Sequence, residues 1–454
     1  MYIINSRING GMRVPLLISN FLFLFFLTTS ASAENLLEVY ELALSNDATL
    51  MAAQFEYEAA REAIPQARAG LLPDVSVRLQ YTKVRQDIRR TESPAIPEGK
   101  SSYPNENHSV SLNQPIVDVS SWVRFSQAKI SVKQAETAFR GAQQELIMQV
   151  AEAYFGALQA QDRLEYARVE KTALGKQLQD VKMRNKAGTA RISDVHVAEA
   201  RYALSESKEI EAQNQLDDSY EALREHTRVF VLEVSPLKAD IPFIGLEGKD
   251  VKEWIDDAIA QNLDLQASRL SLEVARKEAK FYETNHLPTL DLVVSHNRAV
   301  TGGASFSSTE GVVDSTNYMV QFNMPIYQGG GVQSRVRQAY NNRAKAVQEV
   351  EAQQRRIIRE TRAAYRKVLS GIKKVQALKH SIISQQSALD VKSKGLKAGV
   401  NTLLEVLDAQ RELYYAQTDY SQSRYDYLLA TLKLRQATGS LTETDLQDIN
   451  DLVN

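Results

Sequence analysis

The residue types that most often carry out catalysis or bind metals are scattered along this 454-residue chain. Its six histidines lie in separate segments, without the spacing of a zinc motif such as HExxH, so we expect surface or tip positions for them. The glycines at 302–303 and 329–331 are not followed by the Lys-Ser/Thr pair of a phosphate-binding loop. The sequence also has no nucleophile elbow and no paired-carboxylate motif. We therefore expect no enzyme activity and no cofactor.

Composition narrows the class of protein further. The chain has no cysteine, which rules out disulfides, cysteine-based metal sites and a lipid-modified N-terminal cysteine. Lys and Arg number 54 against 56 Asp and Glu, and this near-balance argues against a nucleic-acid partner.

Residues 1–33 are predicted to be a signal peptide. Arg7 and Arg13 provide the positive n-region, residues 14–27 form the apolar core, and Ala31-Ser32-Ala33 suits the cleavage site. The alternative, an N-terminal membrane anchor, is disfavoured because the apolar run is shorter than the roughly 20 residues that a spanning helix needs.

Two long stretches determine how the rest of the chain is arranged. Residues 112–224 and 322–439 each begin like a strand, pass one proline and continue as a heptad helix pattern. Roughly 65 helical residues at about 1.5 Å each span on the order of 100 Å. The first stretch has two neighbouring apolar stripes, one through Leu146 and one through Ile147. Such a helix can contact neighbours on both sides, or it can form one wall of a bundle core.

Four shorter segments alternate apolar and polar residues with the period of a β-strand. The predicted strands lie at about 74–84, 108–115, 289–300 and 317–325. Polar loops at 85–107 and 301–316 join them in pairs, so each pair is expected to form a hairpin.

The second half of the sequence repeats the first. Lys186-Ala187-Gly188 corresponds to Lys397-Ala398-Gly399, and other matches fall at nearly the same offset, which indicates an internal duplication. In the first copy Gly188 suits a helix C-cap, and Ser193 or Asp194 suits the next N-cap. The predicted organisation is a first repeat at 34–232, a linker at 233–250, a second repeat at 251–440 and a C-terminal tail at 441–454.

The strands constrain the architecture. Four strands cannot close a barrel alone, and an open sheet edge is not viable in lipid because each unpaired backbone group costs several kcal/mol. Several copies must therefore close the sheet, and cyclic symmetry is the usual way. The predicted fold class is a membrane α+β protein, with a β-barrel in the membrane continuous with a long α-helical tube.

Several short motifs lie at the ends of these elements, namely HLPTLDL at 286–292, PIYQGG at 325–330, VLDA at 406–409 and YDYL at 425–428. With the duplicated order of elements, they resemble the TolC family, the channel-tunnels of the Gram-negative outer membrane. The resemblance implies a homotrimer with a 12-stranded barrel in outer-membrane lipid and a periplasmic α-helical barrel. It implies a passive exit duct for efflux or type I secretion. The implied partners are a periplasmic adaptor and an inner-membrane efflux transporter or ABC exporter.

The resemblance also implies a gate at the periplasmic tip. Glu405 and Asp408 fall on the family's acidic gate positions, where three copies form a carboxylate ring that could bind a cation. The alternative is a solvated acidic pair that the helix dipole favours. Leu396 and Asn401 replace the tyrosine and arginine that serve as latches in the family.

The other turn carries the remaining candidates. Asp194 falls on the family's acidic latch position, and Arg191 is our candidate for a substitute cation. The protruding turns are the candidate adaptor contacts, namely Lys186, Ala187, Gly188, Lys397, Ala398 and Gly399. An opposing interpretation is a periplasmic coiled-coil adaptor or a structural stalk, which would lack the four alternating segments.

Overall fold

The computed structural model describes residues 33–89, 98–231, 233–238, 241–243, 246, 248–302 and 311–453. The predicted signal peptide therefore lies outside the described residues, apart from Ala33. Among the residues that are described, no helix is both long and apolar enough to cross a membrane.

The described chain is mostly helical, with two hairpins inserted between helices. Three helices, α1 (Leu36–Asn46), α2 (Ala48–Arg61) and α3 (Ala63–Ala69), precede strands β1 (Asp74–Ile88) and β2 (Gly99–Val117). Helices α4 (Val119–Lys186) and α5 (Ile192–Thr227) follow. The second half contains α6 (Val251–Gln261), α7 (Leu263–Thr284), β3 (Thr289–Thr301), β4 (Gly311–Asn323), α8 (Gly331–Lys397), α9 (Leu403–Thr438) and α10 (Glu443–Asn450).

The four strands form one antiparallel sheet in the order β1-β2-β3-β4. One row of cross-strand partners consists of Val75, Leu112, Val294 and Tyr318. The adjacent row consists of Ser76, Ser111, Ser295 and Asn317. Because successive residues of a strand point to opposite faces, one face of the sheet is apolar here and the other is polar. The apolar face is uncovered, since the Leu79 side chain on it is 72% exposed.

The strands are longer than predicted. Much of the predicted 85–107 loop belongs to β1 and β2, and β4 begins inside the predicted 301–316 loop. These extensions are largely polar, so they lack the apolar alternation on which the prediction relied. Pro104 lies just beyond Asn105, the last residue of β2 that is paired with β3, where the missing proline N–H removes no bond from that ladder. Its carbonyl oxygen accepts a hydrogen bond from the Gly302 N–H at 2.8 Å.

The two predicted proline stops were also misplaced. β2 continues past Pro115 to Val117 across an irregularity in its register with β3. β4 ends at Asn323, before Pro325 is reached.

The main apolar core lies where the middle of α4 meets α1, the end of α5, the second half of α9 and α10. Both predicted stripes of α4 are buried there, including Leu146 and Ile147. Tyr154 on α4 is fully buried, and its hydroxyl donates to the Ser235 carbonyl at 2.9 Å. Burial raises the pKa of Tyr154, so the phenol stays neutral and holds the linker against α4.

The predicted C-terminal tail contains a helix of its own. Leu446 and Ile449 of α10 are buried in the main core. Two apolar positions are too few to indicate a helix from the sequence alone, and packing against the core supplies the rest of its stability.

Candidate gate at the helical turns

The turn between α4 and α5 is closed by its own backbone. Gly188 follows the end of α4 with φ of 75°, a left-handed conformation that glycine adopts without steric penalty. The Thr189 N–H donates to the Arg184 carbonyl at 2.9 Å. Lys186, Ala187 and Gly188 are exposed, so this end of the hairpin is available to a partner.

The start of α5 differs from the prediction in its N-cap. The N-cap residue is Arg191, rather than Ser193 or Asp194. The Asp194 carboxylate lies in the first turn and accepts a hydrogen bond from the Arg191 backbone N–H at 3.2 Å. The Arg191 side chain is exposed and forms no ion pair within the described residues, so its role as a latch stays a prediction.

The turn between α8 and α9 has the same form. Gly399 has φ of 76°, and the Val400 N–H donates to the Gly395 carbonyl at 2.8 Å. Lys397, Ala398 and Gly399 are exposed, whereas Leu396 is half-buried.

Glu405 is engaged at the start of its own helix. Its carboxylate accepts hydrogen bonds from the Thr402 backbone N–H at 2.7 Å and from the Asn401 side-chain amide at 3.2 Å. In return, the Thr402 hydroxyl accepts from the Glu405 N–H at 3.3 Å, which completes a capping box. These hydrogen bonds, the backbone one foremost, lower the pKa of Glu405.

Asp408 has a partner on a different helix. Its carboxylate lies 3.0 Å from the guanidinium of Arg201 on α5 and 3.9 Å from that of Arg411 on α9. The structure therefore separates the two predicted gate carboxylates. Glu405 stabilises one turn, whereas Asp408 joins the α4–α5 hairpin to the α8–α9 hairpin.

Arg201 is the functional candidate that the sequence prediction missed. It lies about two and a half turns into α5, in the segment AEARYAL at 198–204, which carries no motif. Only the packing of α5 beside α9 identifies its partner, and heptad spacing within one helix does not report which other helix it meets.

The structure offers no metal centre within one chain. Among the described residues, no group of three or more His, Cys, Asp or Glu is placed to hold a metal ion. One histidine departs from the expected surface or tip position, since the partly buried His226 lies 2.9 Å from buried Asp47. Burial alone would raise the pKa of Asp47, but hydrogen bonds from His226 and from the Leu50 N–H lower it.

We expect Glu405→Gln to remove the pH dependence of the stability of the first turn of α9. Since the pKa of Glu405 is lowered by folding, its stabilising effect is present above the unfolded value of about 4.3 and is lost as pH falls through the folded value. Amide exchange at the start of α9, corrected for intrinsic rates, should therefore accelerate in acid in the native protein. The same acceleration in Glu405→Gln, with Glu412→Gln as control, would contradict this assignment.

Two helical hairpins beneath an amphipathic sheet with open edges define the class of outer-membrane channels. The structure is similar to the outer membrane protein VceC of Vibrio cholerae, with a TM-score of 0.75, 17% identity, and coverage of 89% of this chain and 96% of that chain. At this identity the similarity establishes the fold.

Sequence comparisons define the family. The chain is 35% identical over 425 residues to the outer membrane protein TolC of Vibrio cholerae, covering 93% of this chain and 95% of that protein. It is 30% identical over 430 residues to the alkaline protease secretion protein AprF of Pseudomonas aeruginosa, covering 94% and 88%. The family described as outer membrane efflux protein matches residues 39–227 and 254–440. The chain belongs to this family of outer-membrane channel proteins, which confirms the resemblance inferred from sequence.

Proposed function

We propose that three copies of this chain form a passive exit duct that crosses the outer membrane and extends into the periplasm. The observation that carries the proposal is the four-stranded sheet, which has one apolar and one polar face and continues into two long helical hairpins. Within the described residues, β1 and β4 each pair with one strand only, which leaves both edges of this sheet open.

Closure follows from pairing these edges between copies. If β4 of each copy pairs with β1 of the next, three sheets form a ring of twelve strands with no open edge. The apolar face then contacts lipid and the polar face lines an aqueous channel. The α4–α5 and α8–α9 hairpins of the three copies would form the α-helical barrel below it.

The duct serves a tripartite efflux pump, a type I secretion system, or both. Relatives named for efflux and for protease secretion support this proposal. Its partners would be a periplasmic adaptor, docking at the exposed turns, and an inner-membrane efflux transporter or ABC exporter. An adaptor or stalk function for this chain is not favoured, because neither needs a sheet with an uncovered apolar face.

Fractionation and complementation test the proposal. The protein should sediment with the outer membrane as a heat-stable oligomer. Deletion of its gene should increase drug sensitivity, abolish secretion of a type I substrate, or both. A protein found only as a water-soluble monomer would overturn the proposal.

Within this duct, we expect Arg201→Ala to favour the open channel. The Arg201–Asp408 pair holds α5 against α9, and a partly exposed ion pair of this kind contributes about 0.2–1 kcal/mol. The open fraction in single-channel recordings should therefore rise by up to about fivefold for each pair lost. Arg224→Ala, which removes an exposed pair within α5, is the matched control.

Exchanging the two charges shows whether the channel opens because this ion pair is lost or because the turns are loosened in general. Arg201→Asp combined with Asp408→Arg should return the open fraction toward that of the native channel. Identical conductance in Arg201→Ala and native channels would remove this pair from the gate.

A further inference from the structure

Two of the long helices carry strongly opposite charge. α8 contains sixteen Lys and Arg but only four Asp and Glu. α5 contains three Lys and Arg but nine Asp and Glu. This imbalance indicates that basic α8 faces acidic surroundings and that acidic α5 faces basic surroundings.

Part of this charge is paired within the chain, since Glu199, Glu206 and Glu209 of α5 form ion pairs with lysines of α4. The rest includes two lines of residues on the sides of α8 and α5 that lie away from their buried residues. On α8, residues Arg359, Arg366 and Lys373 are spaced by seven and form one exposed line, opposite the buried side chains of Thr361, Val368 and Val375. Arg366 and Lys373 form no ion pair among the described residues, and Arg359 contacts only Glu360 of its own helix. We call these three residues the basic line.

α5 has a matching line of acidic residues. Glu211, Asp218 and Glu225 are also spaced by seven, and all three are exposed. Asp218 and Glu225 lie on the side of α5 away from the buried Leu223, whereas Glu211 borders the groove between α5 and α9. Glu211 accepts a hydrogen bond from Gln215 of its own helix at 3.3 Å. Neither Asp218 nor Glu225 has an ion-pair partner in the described part of the chain. We call these three residues the acidic line.

Three contacts show that the two lines lie at the same height along the hairpins. Gly371 of α8 packs against Tyr427 of α9, whose neighbour Tyr425 donates to Asp162 of α4 at 2.8 Å. One residue further along α4, Arg163 donates to Gln215 of α5 at 2.6 Å. Position 371 of α8 and position 215 of α5 therefore differ in height by about one helical turn or less.

The directions of the two helices then show which residue of the acidic line lies at the height of which residue of the basic line. α8 runs toward the turns, whereas α5 runs away from them, so residue numbers fall on one helix as they rise on the other. Asp218 is consequently level with Lys373, and Glu225 is level with Arg366, each within about one turn. Nearer the turns, exposed Ile210 on α5 and exposed Ile383 on α8 differ in height by about one turn.

The packing within one chain leaves these two helices at opposite ends. α4 packs against both α5 and α9, and α9 packs against α8, which gives the order α5-α4-α9-α8. In the half of the hairpins nearer the turns, α5 also approaches α9, through Arg201 and Asp408 and through the Lys208 ammonium, which lies 5.2 Å from the Tyr415 ring centroid. A head-to-tail ring of copies would therefore bring α5 of one copy beside α8 of the next.

We propose that the acidic line of α5 in one copy docks on the basic line of α8 in a second copy of this chain, forming an electrostatic seam that sets the axial register between copies. The proposal rests on the proposed ring-shaped duct and assigns the helical surfaces that close it. Each copy offers α5 to one neighbour and α8 to the other, so the contact is heterologous and repeats around the ring.

Engineered cysteines test the seam directly, because the chain has no cysteine of its own. Asn214→Cys on α5 and Ala377→Cys on α8 replace exposed residues at matching heights. With a short bifunctional thiol reagent, the double variant should give covalent dimers and trimers in outer-membrane samples. Each single variant should give none, since α5 meets α8 and not another α5.

The matched control moves one cysteine along α8. Asn214→Cys combined with Ala363→Cys shifts the α8 position by fourteen residues, or about 21 Å, and should not cross-link. Equal cross-linking of both pairs, or cross-linking by one single variant alone, would overturn the proposed register.

Charge reversal tests the electrostatic part of the proposal. Arg366→Glu with Lys373→Glu should lower the cross-linked yield of the matched pair by about fivefold, and adding Asp218→Lys with Glu225→Arg should restore it. Arg337→Glu, outside the basic line on the same helix, should leave the yield unchanged. An unchanged yield with altered ion selectivity would place the basic line in the channel and overturn the seam.

The cross-linking and fractionation results together distinguish failure of the seam from failure of the proposed duct. A heat-stable outer-membrane oligomer that exports normally, yet never cross-links through the matched pair, rejects the seam and leaves the duct. Absence of any oligomer in the native protein rejects both.

Discussion

Val77→Arg is expected to abolish assembly of the protein in the outer membrane. Val77 is 66% exposed on the apolar face of the sheet, opposite Val110 and two rows from Val75 and Leu112. An arginine on the lipid face of a membrane sheet costs about 2–4 kcal/mol near the bilayer midplane, and a ring of three copies multiplies that cost. The heat-stable oligomer in outer-membrane fractions should fall below detection.

The opposite face of the same strand provides the control. Gln80→Arg introduces the same side chain on the polar face, which already contains Arg78 two rows away. Its oligomer should reach near-native abundance. Equal loss in both variants would mean that the strand tolerates no bulky cation, and normal assembly of Val77→Arg would mean that this face does not meet lipid.

The same face illustrates what the sequence could predict. Alternation of Val75, Val77 and Leu79 with polar residues was sufficient to identify β1 and its two faces, because side-chain direction in a strand has a period of two. The ends of the strands were not predictable in this way. From Arg85 to Ile88 the strand persists on cross-strand hydrogen bonds alone, which leave no apolar pattern in the sequence.

The candidate gate also has one part that the sequence predicts and one part that it does not. The turns themselves were predictable, since Gly188 and Gly399 provide a left-handed conformation that few other residues adopt. The partner of Asp408 was not, because it depends on how two helices far apart in sequence pack together. Local chemistry therefore located the turns, while the Arg201 contact that joins them required the tertiary structure.

A third glycine after a long helix, Gly439, has the same backbone conformation in a crowded setting. It follows α9 with φ of 75°, and its carbonyl accepts a hydrogen bond from the Gln144 side chain at 3.0 Å. A Cβ added there would lie 2.8 Å from the Gln261 carbonyl carbon and 2.9 Å from the Asn262 Cα. These atoms belong to the backbone between α6 and α7, so they cannot move aside as a side chain could.

Gly439→Ala should consequently destabilise the fold far more than Gly399→Ala. Both alanines carry the left-handed penalty of about 1–2 kcal/mol, but a Cβ at Gly399 meets no atom within 4 Å. Forcing apart α9 and the α6–α7 junction adds a further cost of about 1–3 kcal/mol, typical of overpacking. In thermal unfolding of the purified protein, Gly399→Ala should remain near native and Gly439→Ala should melt well below it. Equal melting temperatures would mean that the end of α9 can shift away from α6 without loss, and that the helical hairpin is not fixed to the core at this point.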